Sequence, residues 1–259
     1  GYAEDRAGFI ATGHAAIEAG VNLIDTATGY GDPQVTLGEA LVGHDDTLVE
    51  TKYCPYDSYR VDATYVGTPE ALVASAEESL RRLRRDHLDI LLGHGLRTLD
   101  TFDRFMSEGC YEAMLRLREQ GKVRYIGLCN RAAWDITKSL WISDKRNISR
   151  FESLQMYYSI AGRDLEREVA PLAQDQDLAI LAWSPLAGGF LSGKYTRDGG
   201  PNDSRRVAFD FIPKPFTPDQ IRAVLAKVAK ARALEQRVRT LETQLADSAP
   251  AVELSSAEP

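Results

Sequence analysis

Basic surplus is what this sequence most plainly lacks. Its 31 Lys and Arg stand against 38 Asp and Glu, a formal net charge of −7. With no basic patch to grip a phosphate backbone, nucleic acid is not an expected partner. No apolar run approaches the roughly 20 residues that a membrane helix needs. No basic-then-apolar leader is present either, so no membrane partner is expected and the cytoplasm is the expected location. Cysteine is scarce: Cys54, Cys110 and Cys129 are odd in number and widely spaced. That favours a reducing compartment over a disulfide framework. The 4 histidines show no metal-ligand spacing, so no metal is expected. The G-x-G-x-x-G dinucleotide signal is absent. Gly188 to Lys194, GGFLSGK, opens like a phosphate loop, but Tyr195 stands where Mg²⁺ ligation needs Ser or Thr. Nucleotide hydrolysis is therefore disfavoured, although backbone amides in such a loop can wrap a pyrophosphate. A start at Gly1 rather than Met reads as a fragment or trimmed chain.

What is present is a repeating alternation of strand and helix. The composition, 44% apolar and 27% charged, is that of an ordinary globular protein. The organising stretch is GVNLIDTATGYG, where an apolar run stops at Asp25 and Tyr30 follows inside a Thr/Gly turn. Six strands are expected at 21–27, 47–53, 87–94, 123–130, 151–159 and 178–186. Helices are expected at 5–19, 35–42, 108–120 and 164–175, and around Trp134 and Leu140. A further helix starts at the cap Thr68 with Pro69 in its first turn. Leu72, Ala76, Leu80 and Leu83 form its buried stripe, and Arg81–Arg85 reads as a solvated face. Long loops are expected at 54–67 and 95–107.

The strands lack clean apolar/polar alternation, as strands buried on both faces do. Alternation of this kind builds a parallel sheet, open or closed. Polar residues close five strands: Asp25, Lys52, His94, Asn130 and Ser184. A barrel brings all its strand ends to one rim, so the expected fold is an α/β TIM barrel. From 217 to about 246, Ile221, Val224, Val228, Ala231, Leu234, Val238, Leu241 and Leu245 recur at near-heptad spacing. That is a long helix which packs on the barrel or pairs with another chain. Residues 248–259 read as a disordered tail.

The strand ends carry a recognisable chemistry. A phenol is a poor acid at neutral pH, and the Lys52 ammonium beside Tyr30 is expected to lower its pKa. Asp25 would orient Lys52, and His94 could donate to a substrate oxygen. These groups can polarise a carbonyl and protonate the alkoxide formed from it. None supplies a hydride, so a reduced cofactor is required.

Six motifs follow in order: LIDTATGYG, TK, LDILLGH, GKVRYIGLCN, SLQMYYS and AWSPLAGGFLSGKY. Together they resemble the aldo-keto reductases, from about residue 5 to 211. The resemblance implies a (β/α)8 barrel that binds NADPH without a Rossmann domain and exchanges a hydride with an aldehyde, ketone or sugar. It implies Tyr30 as general acid, tuned by Lys52 and Asp25, with His94 orienting the carbonyl. It implies that Asn130 and Gln155 hold the nicotinamide carboxamide and that Trp183 stacks on the ring. Ser184, Leu186 and Gly188 would start the loop over the pyrophosphate. Cys129 stands where the family usually has Ser, which removes one hydroxyl from the carboxamide site.

Two family segments have no counterpart here, the strand before the first helix and the final strand with its 2′-phosphate grip. The expectation is therefore a barrel incomplete at both ends over 1–216, then the helix of 217–247 and the tail. NADP(H) is the expected cofactor by family habit, with NAD(H) as the alternative. The competing readings are a regulatory subunit without useful turnover and an inactive fragment. Tyr56, Tyr59 and Phe102 are expected to give the substrate pocket aromatic walls.

Overall fold

The computed structural model describes residues 6–30, 33–57, 63–96 and 98–193. The chain divides into two compact units, 1–185 and 186–259. The first unit alternates helix and strand: α1 (Arg6–Glu18), β1 (Leu23–Asp25), α2 (Pro33–Ala40), β2 (Leu48–Tyr53), α3 (Pro69–Leu83), β3 (Leu88–Gly93), α4 (Leu99–Ser107), α5 (Cys110–Glu119), β4 (Val123–Cys129), α6 (Ala133–Arg146), β5 (Ser153–Tyr157), α7 (Val169–Asp175) and β6 (Ala179–Trp183). Of the second unit only residues 186–193 are described. They hold a short 3-10 segment, Ala187–Ser192, in which Gly188 and Gly189 are left-handed.

All six strands join one sheet in chain order, and every neighbouring pair is parallel. Strand order equal to chain order with helical crossovers is the topology of a barrel arc. The fold is α/β with six strands of the expected barrel. The long helix and the tail lie outside the described residues.

The two faces of the sheet differ in chemistry. On one, Val49, Tyr53, Leu91, Ile126, Leu128 and Leu154 join a buried cluster with Leu72, Leu83, Met114, Leu117, Ile136 and Leu140 of the helices. The other face follows from register and the two-residue period. Asp25 pairs with Glu50, Lys52 with Leu92, Leu92 with Gly127, and Gly127 with Ser153 and Cys129 with Gln155. A Cβ on Gly127 would collide with Ser153 and Leu92, so only glycine lets the strands close here. The flanking strands β1 and β6 have no buried residue, whereas five of the six residues of β3 are buried.

Local signals explain several elements. Thr68 caps α3 by accepting from the Ala71 amide at 3.1 Å, with Pro69 next in line. Gly38 of α2 admits the backbone of Arg82 and Leu83, where any side chain would strike it. Two expectations need correction. The segment 95–107 is not all loop: Thr98 and Thr101 form a capping box, and Phe102, Phe105 and Met106 bury one face of α4. Phe102 is therefore in the core and forms no pocket wall. Arg85 is not on a solvated face either; it donates to the carbonyls of His44 at 2.6 Å and Asp45 at 3.2 Å. Tyr59 lies outside the described residues.

Candidate active site

Lys52 is the anchor of the site. It is 1% exposed, on β2, the strand between β1 and β3. A buried ammonium is costly unless its donors are taken. Here Nζ donates to Asp25 Oδ1 and to the Thr26 carbonyl at 3.0 Å. Its third interaction is with Tyr30, whose ring centroid lies 5.2 Å away. The short strand β1 stops at Asp25 and a single 3-10 turn, Thr28–Tyr30, carries the phenol back over the lysine. The Tyr30 amide donates to the Ala27 carbonyl at 3.2 Å and fixes that turn.

The phenol departs from its expected titration. Burial raises its pKa, and the charge and hydrogen bond of Lys52 oppose without reversing that rise. Tyr30 thus bears its proton throughout the neutral range, as a donor requires. The sequence showed the ammonium but not the partial desolvation of a residue that stays 48% exposed.

His94 follows β3 directly. Its amide donates to the Tyr53 carbonyl at 2.9 Å, which sets it beside the end of β2. Gly95 then turns at a φ of +71°, and a Cβ there would sit 3.0 Å from Cys54 Sγ. The histidine is half-buried at the same end of the sheet as Lys52.

The amides of the next strands form a second cluster. Asn130 sits in the left-handed region at φ 52°, one residue past β4. Asparagine tolerates that conformation better than most residues. Its Oδ1 accepts from Trp183 Nε1 at 2.7 Å, and its Nδ2 donates to Cys129 Sγ at 3.2 Å. Its amide donates to the Gln155 carbonyl at 3.0 Å. Trp183 is 40% exposed and meets Tyr157 edge-on at 5.1 Å. Burial pushes the Cys129 thiol up to about 12, so it is a neutral group here. Ser184 is left-handed, at φ 56°. In the second unit, the Gly189 and Leu191 amides both donate to the Leu186 carbonyl, at 2.9 and 3.1 Å.

Glu50 was missed by sequence reasoning. It is fully buried, opposite Asp25 in register, and Oε1 accepts from Gln155 Nε2. Burial first, then the Asp25 carboxylate, push its carboxyl up to about 8. A charged residue two positions before Lys52 in β2 was the available signal, because period two puts both on one face. Among the described residues no three His, Cys, Asp or Glu side chains cluster as metal ligands do. No helix among them is long and apolar enough to cross a membrane.

The aldo/keto reductase family profile matches residues 4–249. The chain belongs to that family. It is similar to a probable aryl-alcohol dehydrogenase of Saccharomyces cerevisiae, 28% identical over 85% of this chain and 70% of the relative. It is similar to an NADH-specific methylglyoxal reductase of Escherichia coli, 33% identical over 73% of this chain and 60% of that protein. Among solved structures it resembles an aldo-keto reductase from Klebsiella pneumoniae in complex with NADPH. The TM-score is 0.61 at 28% identity, over 72% of this chain and 61% of that one.

Proposed function

We propose that this protein is an NAD(P)H-dependent carbonyl reductase that converts an aldehyde, ketone or sugar carbonyl to the alcohol, or runs the reverse reaction. The observation that carries this reading is Lys52, buried and bound on one side by Asp25 and on the other by Tyr30. A surface ion pair would need none of that burial. The relatives agree in chemistry: one is named a methylglyoxal reductase and another an aryl-alcohol dehydrogenase.

The amide cluster fits a dinucleotide's nicotinamide end. Asn130 and Gln155 offer the donors and acceptors that a primary carboxamide needs. Trp183, partly exposed, offers a face for the ring. The family resemblance assigns the pyrophosphate to the sequence stretch that begins with Ser184, Leu186 and Gly188. A reduced nicotinamide held by these residues would supply the hydride that a carbonyl carbon accepts. Tyr30 passes its phenol proton to the carbonyl oxygen, and the phenolate left behind faces the Lys52 ammonium. Asp25 holds that ammonium in place, and His94 orients the carbonyl by donating to its oxygen. One relative is NADH-specific and a solved neighbour carries NADPH, so both dinucleotides belong in the test. No disulfide joins Cys54, Cys110 and Cys129, which fits a reducing, cytoplasmic setting.

The test is turnover of an aldehyde and ketone panel with NADPH and with NADH. Tyr30→Phe is expected to lower kcat by about 10²- to 10⁴-fold while leaving cofactor binding intact. Full turnover in that variant would remove Tyr30 from its role.

A further inference from the structure

We propose that Glu50 is a positioning residue for the nicotinamide site, holding the Gln155 amide so that its carbonyl oxygen is presented to a bound carboxamide. The inference rests on the reading of the site given above and goes beyond it to a residue with no assigned part in it.

A glutamine amide has two orientations that exchange a donor for an acceptor at nearly the same shape. Something must choose between them. Glu50 Oε1 accepts from Gln155 Nε2, so the nitrogen end points to β2. The oxygen end, Oε1, lies 3.7 Å from the Cys129 thiol, a weak donor that leaves a lone pair for a ligand. The neighbouring Asn130 Oδ1 likewise accepts one bond, from Trp183 at 2.7 Å, so each amide oxygen keeps one lone pair for a carboxamide N–H.

The carboxyl suits the task. The groups around it are Asp25 from β1, Lys52 from its own strand and Cys129 from β4. Lys52 is already committed to Asp25. Held up to about 8, Glu50 is mostly neutral at pH 7, and a proton on Oε2 leaves Oε1 an acceptor. Burial, and next a hydrogen bond with Asp25, hold that proton in place. A site that needed only filling would have placed an apolar side chain here, as Leu92 fills the next pleat.

The test is the Kd for NADPH and for NADH, read from tryptophan quenching, in wild type, Glu50→Gln, Glu50→Leu, Gln155→Leu and the Leu/Leu double variant. Glu50→Gln keeps an acceptor oxygen and should bind within about threefold of wild type. Glu50→Leu and Gln155→Leu should each weaken binding about tenfold. The double variant should bind like Gln155→Leu alone, because both remove one arrangement. Wild-type binding by Glu50→Leu, or effects that multiply to about a hundredfold, would overturn the role of Glu50 and leave the site reading standing. A folded wild type that binds neither dinucleotide would overturn the site reading and this role together. Glu50→Met, closer in shape, replaces Glu50→Leu if the latter gives no cooperative melt.

Discussion

The two faces of this sheet are built from the same six strands and obey different rules. The helix-covered face carries Val49, Leu91, Ile126 and Leu154, each 0 or 1% exposed. Each apolar side chain there contributes a transfer free energy, and no orientation beyond shape matters. The other face buries Glu50, Lys52 and Gln155 at 0, 1 and 6% exposure. Such groups stabilise little and cost much unless every donor and acceptor is placed. The contrast teaches where stability and function separate: one face holds the strands, and the other uses their rigidity to fix polar atoms.

Substitutions on the two faces should therefore fail in different ways. Lys52→Met is expected to lower kcat by about 10²- to 10⁴-fold. Its thermal midpoint should move far less, because the released Asp25 side chain is 42% exposed and stays solvated. Kinetics beside a thermal melt checks both halves; a collapse of the fold would show that the pair is structural. Phe102→Ala is the mirror case. It empties a fully buried site in α4 and should cost about 3–5 kcal/mol of unfolding free energy. Denaturant unfolding measures this, and the folded variant should keep its kcat.

Glu50→Gln should change how stability responds to pH. The folded carboxyl sits at about 8 against 4.5 unperturbed, so the native state binds the extra proton between those values. Stability from this group is full below about 4.5 and is lost as pH rises through 8. Wild type should therefore lose stability across pH 5 to 8 more steeply than Glu50→Gln, in melts at matched ionic strength. Equal slopes would mean that the carboxyl is not held neutral. The smallest effect expected is Thr68→Ala, which removes the α3 cap for about 1 kcal/mol and leaves the site face untouched.

What could be read in advance follows the same division. The six strands were legible because apolar runs between turn residues need only composition to be seen. Asp25, Lys52, His94 and Asn130 were legible because polar residues at apolar strand ends stand out, and Gln155 only through the family motif SLQMYYS. Helix α4 was not, since Gly95 and the run of Thr and Asp resemble a loop; the 102/105/106 spacing held the contrary signal. Arg85 misled because a charged cluster gives no hint that a loop's carbonyls will cap it. Glu50 was not legible because it lies one pleat below the strand end, where a polar residue carries no strand-end signal. The direction of the Tyr30 shift depends on burial against attraction, a balance that only the fold decides.

The central claim, that the polar face is a working nicotinamide site, is met most directly by titrating the folded chain with NADPH and with NADH while following tryptophan emission. Trp134 and Trp141 of α6 are also exposed, so Trp183→Phe is the control. The account predicts saturable quenching by at least one dinucleotide, lost in Trp183→Phe. No saturable quenching by either, in a chain that melts cooperatively, would contradict it.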